Sequence, residues 1–443
     1  MRIQLSDHFS YPRLLRFVLP SIIMMVFTSI YSVVDGLFVS NFAGKTAFAA
    51  VNLIMPVLMA LGAIGFLIGT GGSAVVSKTL GEGDKKTASE YFSMLIYVTI
   101  GVGLFLTVVG QIFLAPIAAS LGATGQMLKD CVLYGRILLA FQTTFMLQCA
   151  FQSFMVAAEK PKLGLGVTVA AGMTNILLDA LFVGGFRWGI AGAAAATVIS
   201  QSVGGVFPII YFLRNNDSLL RLTRTKLNLR VLLRVCANGS SELMTNLSSS
   251  VMNILYNFQL MRFAGENGVA AYGVIMYVNF IFAAVYFGYA IGSAPVISYQ
   301  YGAGNHPELK NLFRKSLRIT FCFGVAMLLL SQLLASPLAE LFVGYDRELC
   351  ELTCRGFRIY AVGFLVSGFS VFGSAFFTAL NNGAVSAAIS FLRMLVFQLI
   401  AILILPALLG IDGVWLAIVV AELMALAVSV FFFITKRQQY QYG

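Results

Sequence analysis

Residues 17–40 read FVLPSIIMMVFTSIYSVVDGLFVS, and this run decides the fold class. It holds 24 residues and a single charge, Asp35. As a helix it reaches roughly 36 Å, enough to cross a bilayer. A carboxylate inside such a span costs about 2.5–3.5 kcal/mol on insertion scales, so it calls for a reason. Thr28, Ser32 and Asp35 recur at i, i+4 and i+7 with Tyr31 beside them, which puts a polar stripe down one face. Pro20 falls in the first turns, where it is able to bend the helix. The alternative is that Asp35 lies near an end and snorkels to water.

Eleven further apolar runs follow. Together the spans are 17–40, 50–77, 91–114, 132–157, 163–183, 189–213, 232–261, 268–300, 316–335, 354–380, 384–408 and 413–435. Hydrophobic residues make up 59% and charged residues 11%, against roughly 25% charged in soluble domains. The ten-residue alternation of a membrane β-barrel is absent. An all-α polytopic membrane protein of twelve transmembrane helices is therefore predicted. No cleavable signal peptide is visible, so the first run is expected to stay as an anchor. The six cysteines are scattered without CxxC spacing and read as small core residues.

The net charge of +11 would suit a nucleic-acid binder, but its placement points to the lipid bilayer instead. One set of alternate loops and the two termini carry 20 Lys and Arg, six of them in Arg214–Arg234, whereas the opposite set carries 5. The positive-inside rule places both termini in the cytoplasm, with the protein in the cytoplasmic (inner) membrane.

Shifting the chain by 221 residues exposes a repeat. Phe42-Ala43-Gly44 falls on Phe263-Ala264-Gly265, and residues 42–92 match 263–313 at 16 of 51 positions without a gap. Late in each half, Gly189-Ile190 and Gly192 meet Gly410-Ile411 and Gly413. The chain is thus expected to form two six-helix lobes, 1–213 and 231–443, joined by a basic linker, 214–230. Six spans per half make the repeats parallel, related by a pseudo-twofold axis along the membrane normal. Two lobes around one cavity suit alternating access better than a receptor or scaffold.

The repeat also serves as an internal control. Asp35 corresponds to Tyr256, Asn175 to Val396, Asp179 to Ile400 and Thr197 to Ile418. Asn175 and Asp179 share one face of the fifth helix at i and i+4. Asp35, Asn175, Asp179 and Thr197 form a set of hard oxygen donors, fit to share a proton or to hold Na⁺ at Asp35, Asn175 and Asp179. A polar network that only locks helices is the other reading. The second half has its own intramembrane charges, Glu242, Arg393 and Glu422, for which mutual pairing and a substrate role are both open. The 38 Phe, 17 Tyr and 17 Met suit adaptable binding of flat apolar cations.

Two other functions lack residues to support them. Gly44-Lys45-Thr46 resembles the end of a phosphate loop, but the leading glycine position is Val39. Only His8 and His306 are present, both in loops, with no metal-ligand cluster, so an embedded enzyme and a bound cofactor are not expected.

Over essentially its whole length the sequence resembles the multidrug and toxic compound extrusion (MATE) family. The matching residues are Pro20, Asp35-Gly36-Leu37-Phe38-Val39-Ser40 leading to Gly44, Asn175 with Asp179, and Gly189-Ile190-Ala191-Gly192 with Thr197. Gly239-Ser240-Ser241-Glu242 is similar to the multidrug-exporter branch. The resemblance implies a V-shaped pair of lobes that export cationic and amphipathic drugs in exchange for H⁺ or Na⁺, working as a monomer. It implies a coupling site at Asp35, Asn175, Asp179 and Thr197 and a hinge at Pro20. A second coupling or substrate site would draw on Glu242, Tyr31, Tyr256, Arg393 and Glu422. The alternative within the superfamily is a flippase of lipid-linked glycans, which would need a cavity rich in Arg and Lys.

Overall fold

The computed structural model describes residues 3–442, and all of its regular structure is helical. Arg2 and the side chains of Leu37, Ser40 and Lys45 lie outside the described residues. The first half holds α1 (Tyr11–Phe38), α2 (Lys45–Gly81), α3 (Lys85–Ser120), α4 (Gly125–Ala140), α5 (Gln142–Ala157), α6 (Pro161–Asp179) and α7 (Gly189–Leu213). The second half holds α8 (Leu229–Gly302), α9 (His306–Val343), α10 (Arg347–Tyr360), α11 (Val362–Ala379), α12 (Gly383–Phe391), α13 (Gln398–Leu409) and α14 (Ile411–Thr435), with a last turn α15 (Arg437–Tyr440).

Ten helices are long and apolar enough to cross a membrane, and the bent pair α4 and α5 supplies one more span. The predicted span 132–157 is thus two helices meeting at 59°. Span 354–380 divides in the same way into α10 and α11, at the corresponding place in the repeat. In contrast, α8 runs 74 residues through two predicted spans and the loop between them. A straight helix of that length would reach roughly 111 Å. It turns back at Gly265, whose φ of 58° and ψ of −148° need a residue without a Cβ. Splitting α8 there yields twelve spans.

The repeat is visible in the backbone. Gly44 and Gly265, Gly83 and Gly304, and Gly189 and Gly410 are separated by 221 residues, and all six have positive φ. Asp84 and Asn305 are a fourth such pair. Asp84 caps α3 by accepting from the Thr87 amide (2.9 Å), and Asn305 caps α9 by accepting from the Glu308 amide (3.2 Å).

The halves meet tightly at the end that carries the termini and the 214–228 connection. A Cβ on Gly81 would lie 2.1 Å from the Tyr299 carbonyl, and one on Gly302 would lie 2.1 Å from the Lys78 carbonyl. Lys78 and Tyr299 are themselves repeat partners, so the contact is two-fold symmetric. Ser298 Oγ donates to the Ala74 carbonyl across the same seam (2.5 Å). Gly288 and Gly292 seat α8 on Ile22 and Val18 of α1, while Gly65 and Gly69 seat α2 on Met146 and Ala150 of α5. Such glycines let backbones approach where lipid gives no hydrophobic drive for association.

Residues 3–10 add a strap across this end, with Leu5 and Phe9 fully buried. The Leu5 amide donates to Glu159 of the first half, and the Phe9 amide to Glu308 of the second. Gln300 Nε2 and Lys315 Nζ donate to the Leu5 and Phe9 carbonyls (2.8 and 2.6 Å). Towards the opposite end, Ser29 Oγ still reaches the Phe280 carbonyl at 3.4 Å. Around and beyond that contact Ile30, Phe42, Tyr277 and Phe280 are exposed.

Candidate functional site

Asp35 lies one turn before the end of α1, and Asp179 is the last residue of α6, immediately before a π-helical stretch, Ala180–Gly185. Such stretches widen a helix locally and recur at functional sites. The two carboxyl groups face each other within hydrogen-bonding reach. Asp35 Oδ1, both Asp179 oxygens and Asn175 Nδ2 are sealed from solvent without a hydrogen-bond partner. Asp179 is 0% exposed and Asn175 2%. Two ionised carboxylates in contact, with no donor between them, repel one another; a shared proton or a bound cation removes that repulsion.

Thr197 on α7 donates to the Ala193 carbonyl (3.0 Å) and is reached by the Tyr134 hydroxyl. Tyr134, fully buried on α4, also stands beside both aspartates. It was not singled out from the sequence, since a lone tyrosine in an apolar run carries no signal. Its repeat partner is Arg355, so the comparison of halves could have found it. Tyr31 neighbours Asp35 and reaches Gln148. The expected polar stripe is partly closed on itself: Thr28 donates to the Met24 carbonyl and Ser32 to that of Thr28, both at 2.9 Å. Pro20 sits inside α1, which continues through it.

The candidates in the second half lie elsewhere. Glu242, Tyr256, Arg393 and Glu422 line a cavity of about 390 Å³, to which the first half contributes Met25, Phe66, Thr70, Ser73 and Ser153. Asp35, Asn175, Asp179, Thr197 and Tyr31 are not on its wall. The structure therefore divides the sequence candidates into two sites.

Within the cavity Arg393 forks onto Glu422, with Nε 3.0 and 2.9 Å from the two oxygens and Nη2 2.9 Å from Oε1. Mutual pairing of these charges, one of the two open readings, is the arrangement seen. Arg393 belongs to a second π-helical stretch, Leu392–Phe397, between α12 and α13. Tyr256 stacks on Tyr272 with ring centroids 5.4 Å apart and planes 2° apart. The Tyr256 hydroxyl is buried without a partner, whereas that of Tyr272 donates to Asn253 Oδ1 (3.1 Å). Glu242 carries no ion pair among the described residues. Arg355, expected as an interfacial anchor, instead pairs with Asp412 at the start of α14.

The MatE family matches twice, over residues 20–181 and 243–404. The chain is a member of the MATE family of transporters. Its transporters are ion-coupled antiporters, and the chain is not an enzyme. Among its relatives is the multidrug export protein MepA of Staphylococcus aureus (strain MRSA252), 24% identical over 420 residues, covering 94% of this chain and 92% of that protein. The MepA of Staphylococcus haemolyticus (strain JCSC1435) is 24% identical over 426 residues, covering 95% and 92%. A solved structure described as the outward-facing conformation of a multidrug resistance MATE family transporter superposes with a TM-score of 0.93 at 23% identity, covering 98% of each chain. Structures of MATE in the straight and bent conformations superpose at 0.92 and 0.89, both at 23% identity and covering 98% of this chain and 98% and 97% of those chains. The MATE fold and the two tandem halves expected from the repeat are thus present.

Proposed function

We propose that this MATE protein exports cationic and amphipathic drugs in exchange for H⁺ or Na⁺. The observation that carries this reading is the pair of facing, partnerless carboxyl groups at Asp35 and Asp179, placed apart from the drug-sized cavity. Asp35, Asp179 and Asn175 offer hard oxygen donors that fit a proton or Na⁺. Tyr134 and Thr197 complete the polar wall and orient the acids. The aromatic and methionine-rich cavity takes the drug, and Glu242 supplies negative charge there.

With the termini in the cytoplasm, the glycine-sealed end faces inward and the chain stands outward-facing. A cation taken up at Asp35 from outside crosses with the membrane potential, worth about 2.3 kcal/mol per charge per 100 mV. That energy biases the lobes if cation and drug favour different arrangements. Pro20 is the point where α1 bends as the first lobe responds. The cavity is completed within one chain, so a monomer suffices. Against a glycan flippase stands the cavity's charge: Arg393 is neutralised by Glu422, leaving no free cationic cluster for a pyrophosphate.

The test is ethidium efflux from cells and from proteoliposomes under separately imposed pH and Na⁺ gradients. Asp35→Asn should insert normally and lose gradient-driven efflux. Undiminished efflux in that variant overturns the assignment, and the gradient that drives the wild type names the ion.

A further inference from the structure

The ion pair in the cavity wall is not demanded by the fold. At the repeat-equivalent places the first half carries Gly172 for Arg393 and Gln201 for Glu422, and it builds its own fifth and sixth spans without a charge pair there. Burying two charges is expensive, and apolar replacements of a buried pair are often neutral or stabilising. Yet the Glu422 side chain is only 3% exposed and that of Arg393 13%, and both line the space that would hold a drug. A guanidinium is flat, delocalised, monovalent and weakly hydrated. Those are the attributes of the flat organic cations that an aromatic cavity favours.

We propose that Glu422 is the counter-ion of monovalent organic cations in this cavity, and that Arg393 is a tethered substitute that occupies Glu422 when no cation is bound. The proposal rests on the exporter reading above. Glu422 left alone would be a buried charge without compensation. In the present arrangement Arg393 removes that penalty, so a departing cation is replaced without leaving the carboxylate bare. When a cation arrives, the guanidinium withdraws. The π-helical stretch that carries it supplies slack in the backbone hydrogen bonding. Glu242, in the same cavity and without an ion pair among the described residues, is an acceptor for the displaced guanidinium. The Tyr256–Tyr272 stack offers the arriving cation a π-face, and the unpartnered Tyr256 hydroxyl offers it a polar contact. Binding and release are then an exchange between two cations, one of them built into the chain.

The experiment is equilibrium binding of tetraphenylphosphonium to the purified full-length protein, with no gradient imposed. Arg393→Gln removes the internal competitor, so its dissociation constant should fall about tenfold, as for two coupled ligands. Its efflux from proteoliposomes should slow. Glu422→Gln should weaken binding about tenfold, and the double variant should bind as weakly as Glu422→Gln. Arg393→Lys keeps the charge and loses the fork, so it should bind between wild type and Arg393→Gln, and it stands in if the glutamine variant misfolds. Wild-type binding with no tightening in Arg393→Gln or Arg393→Lys would make the pair a structural brace and overturn the proposal alone. A folded wild type that does not bind tetraphenylphosphonium overturns the exporter reading and this proposal with it.

Discussion

The Leu5 amide donates to the Glu159 carboxylate at 2.7 Å, 154 residues along the chain. Four residues later the Phe9 amide donates to Glu308 Oε1 at 2.9 Å, in the other half. His8 Nδ1 adds a contact of 2.5 Å to Glu308 Oε2. The strap thus ties both lobes to one short segment at the sealed end. A hydrogen bond to a charged group contributes about 1.5–3 kcal/mol. In Glu308→Ala, hydrogen exchange at Phe9 should therefore quicken by about tenfold or more. Unchanged exchange would mean that apolar burial of Leu5 and Phe9 holds the strap by itself.

The sealed end also rests on backbone contact. A methyl on Gly302 would have to sit 2.1 Å from the Lys78 carbonyl. We expect Gly302→Val, and equally Gly81→Val, to leave the seam unable to close while helix formation persists. Efflux should drop about tenfold and a thiol reagent applied from the cytoplasm should reach the cavity. Wild-type efflux in both variants would show that the seam need not close this tightly.

Placing the acid pair away from the cavity separates two phenotypes. Asp179→Asn should abolish driven efflux while the tetraphenylphosphonium dissociation constant stays within about threefold of wild type. A loss of binding as large as the loss of transport would merge the two sites into one.

Tyr134 is expected to orient the acids without carrying the cation. Tyr134→Phe keeps the ring and removes the link to Thr197, at a cost of about 1–3 kcal/mol if the partner is left unsatisfied. Efflux should persist and require a steeper gradient for half-maximal rate, which a gradient titration in proteoliposomes reads directly. An unchanged gradient requirement would make Tyr134 a packing residue.

Much of this arrangement was legible before any coordinates. Apolar runs locate spans because lipid forces every backbone group to be satisfied within its own helix. The 221-residue shift located the halves, and positions where the halves disagree pointed to Asp35, Asn175, Asp179 and Thr197. The breaks at Phe141 and Ala361 escaped because neither site carries proline or glycine within an otherwise apolar run. The turn at Gly265 hid within a loop read as several residues long, where one glycine with positive φ suffices. Tyr134 and the strap escaped for a common reason: their partners lie far along the chain, and no local spacing encodes such contacts. The separation of acid pair from cavity was likewise invisible, since both draw on residues of identical chemical kinds.

That separation has a consequence for how such a pump can change. The wall that would meet drugs is built mainly by the second half, and the acids that would meet the energising ion belong wholly to the first. Substitutions in one half can therefore retune the range of compounds handled while the power source stays as it was. Selection by a new antibiotic would leave its mark between Glu242 and Glu422, and the neighbourhood of Asp35 would stay silent.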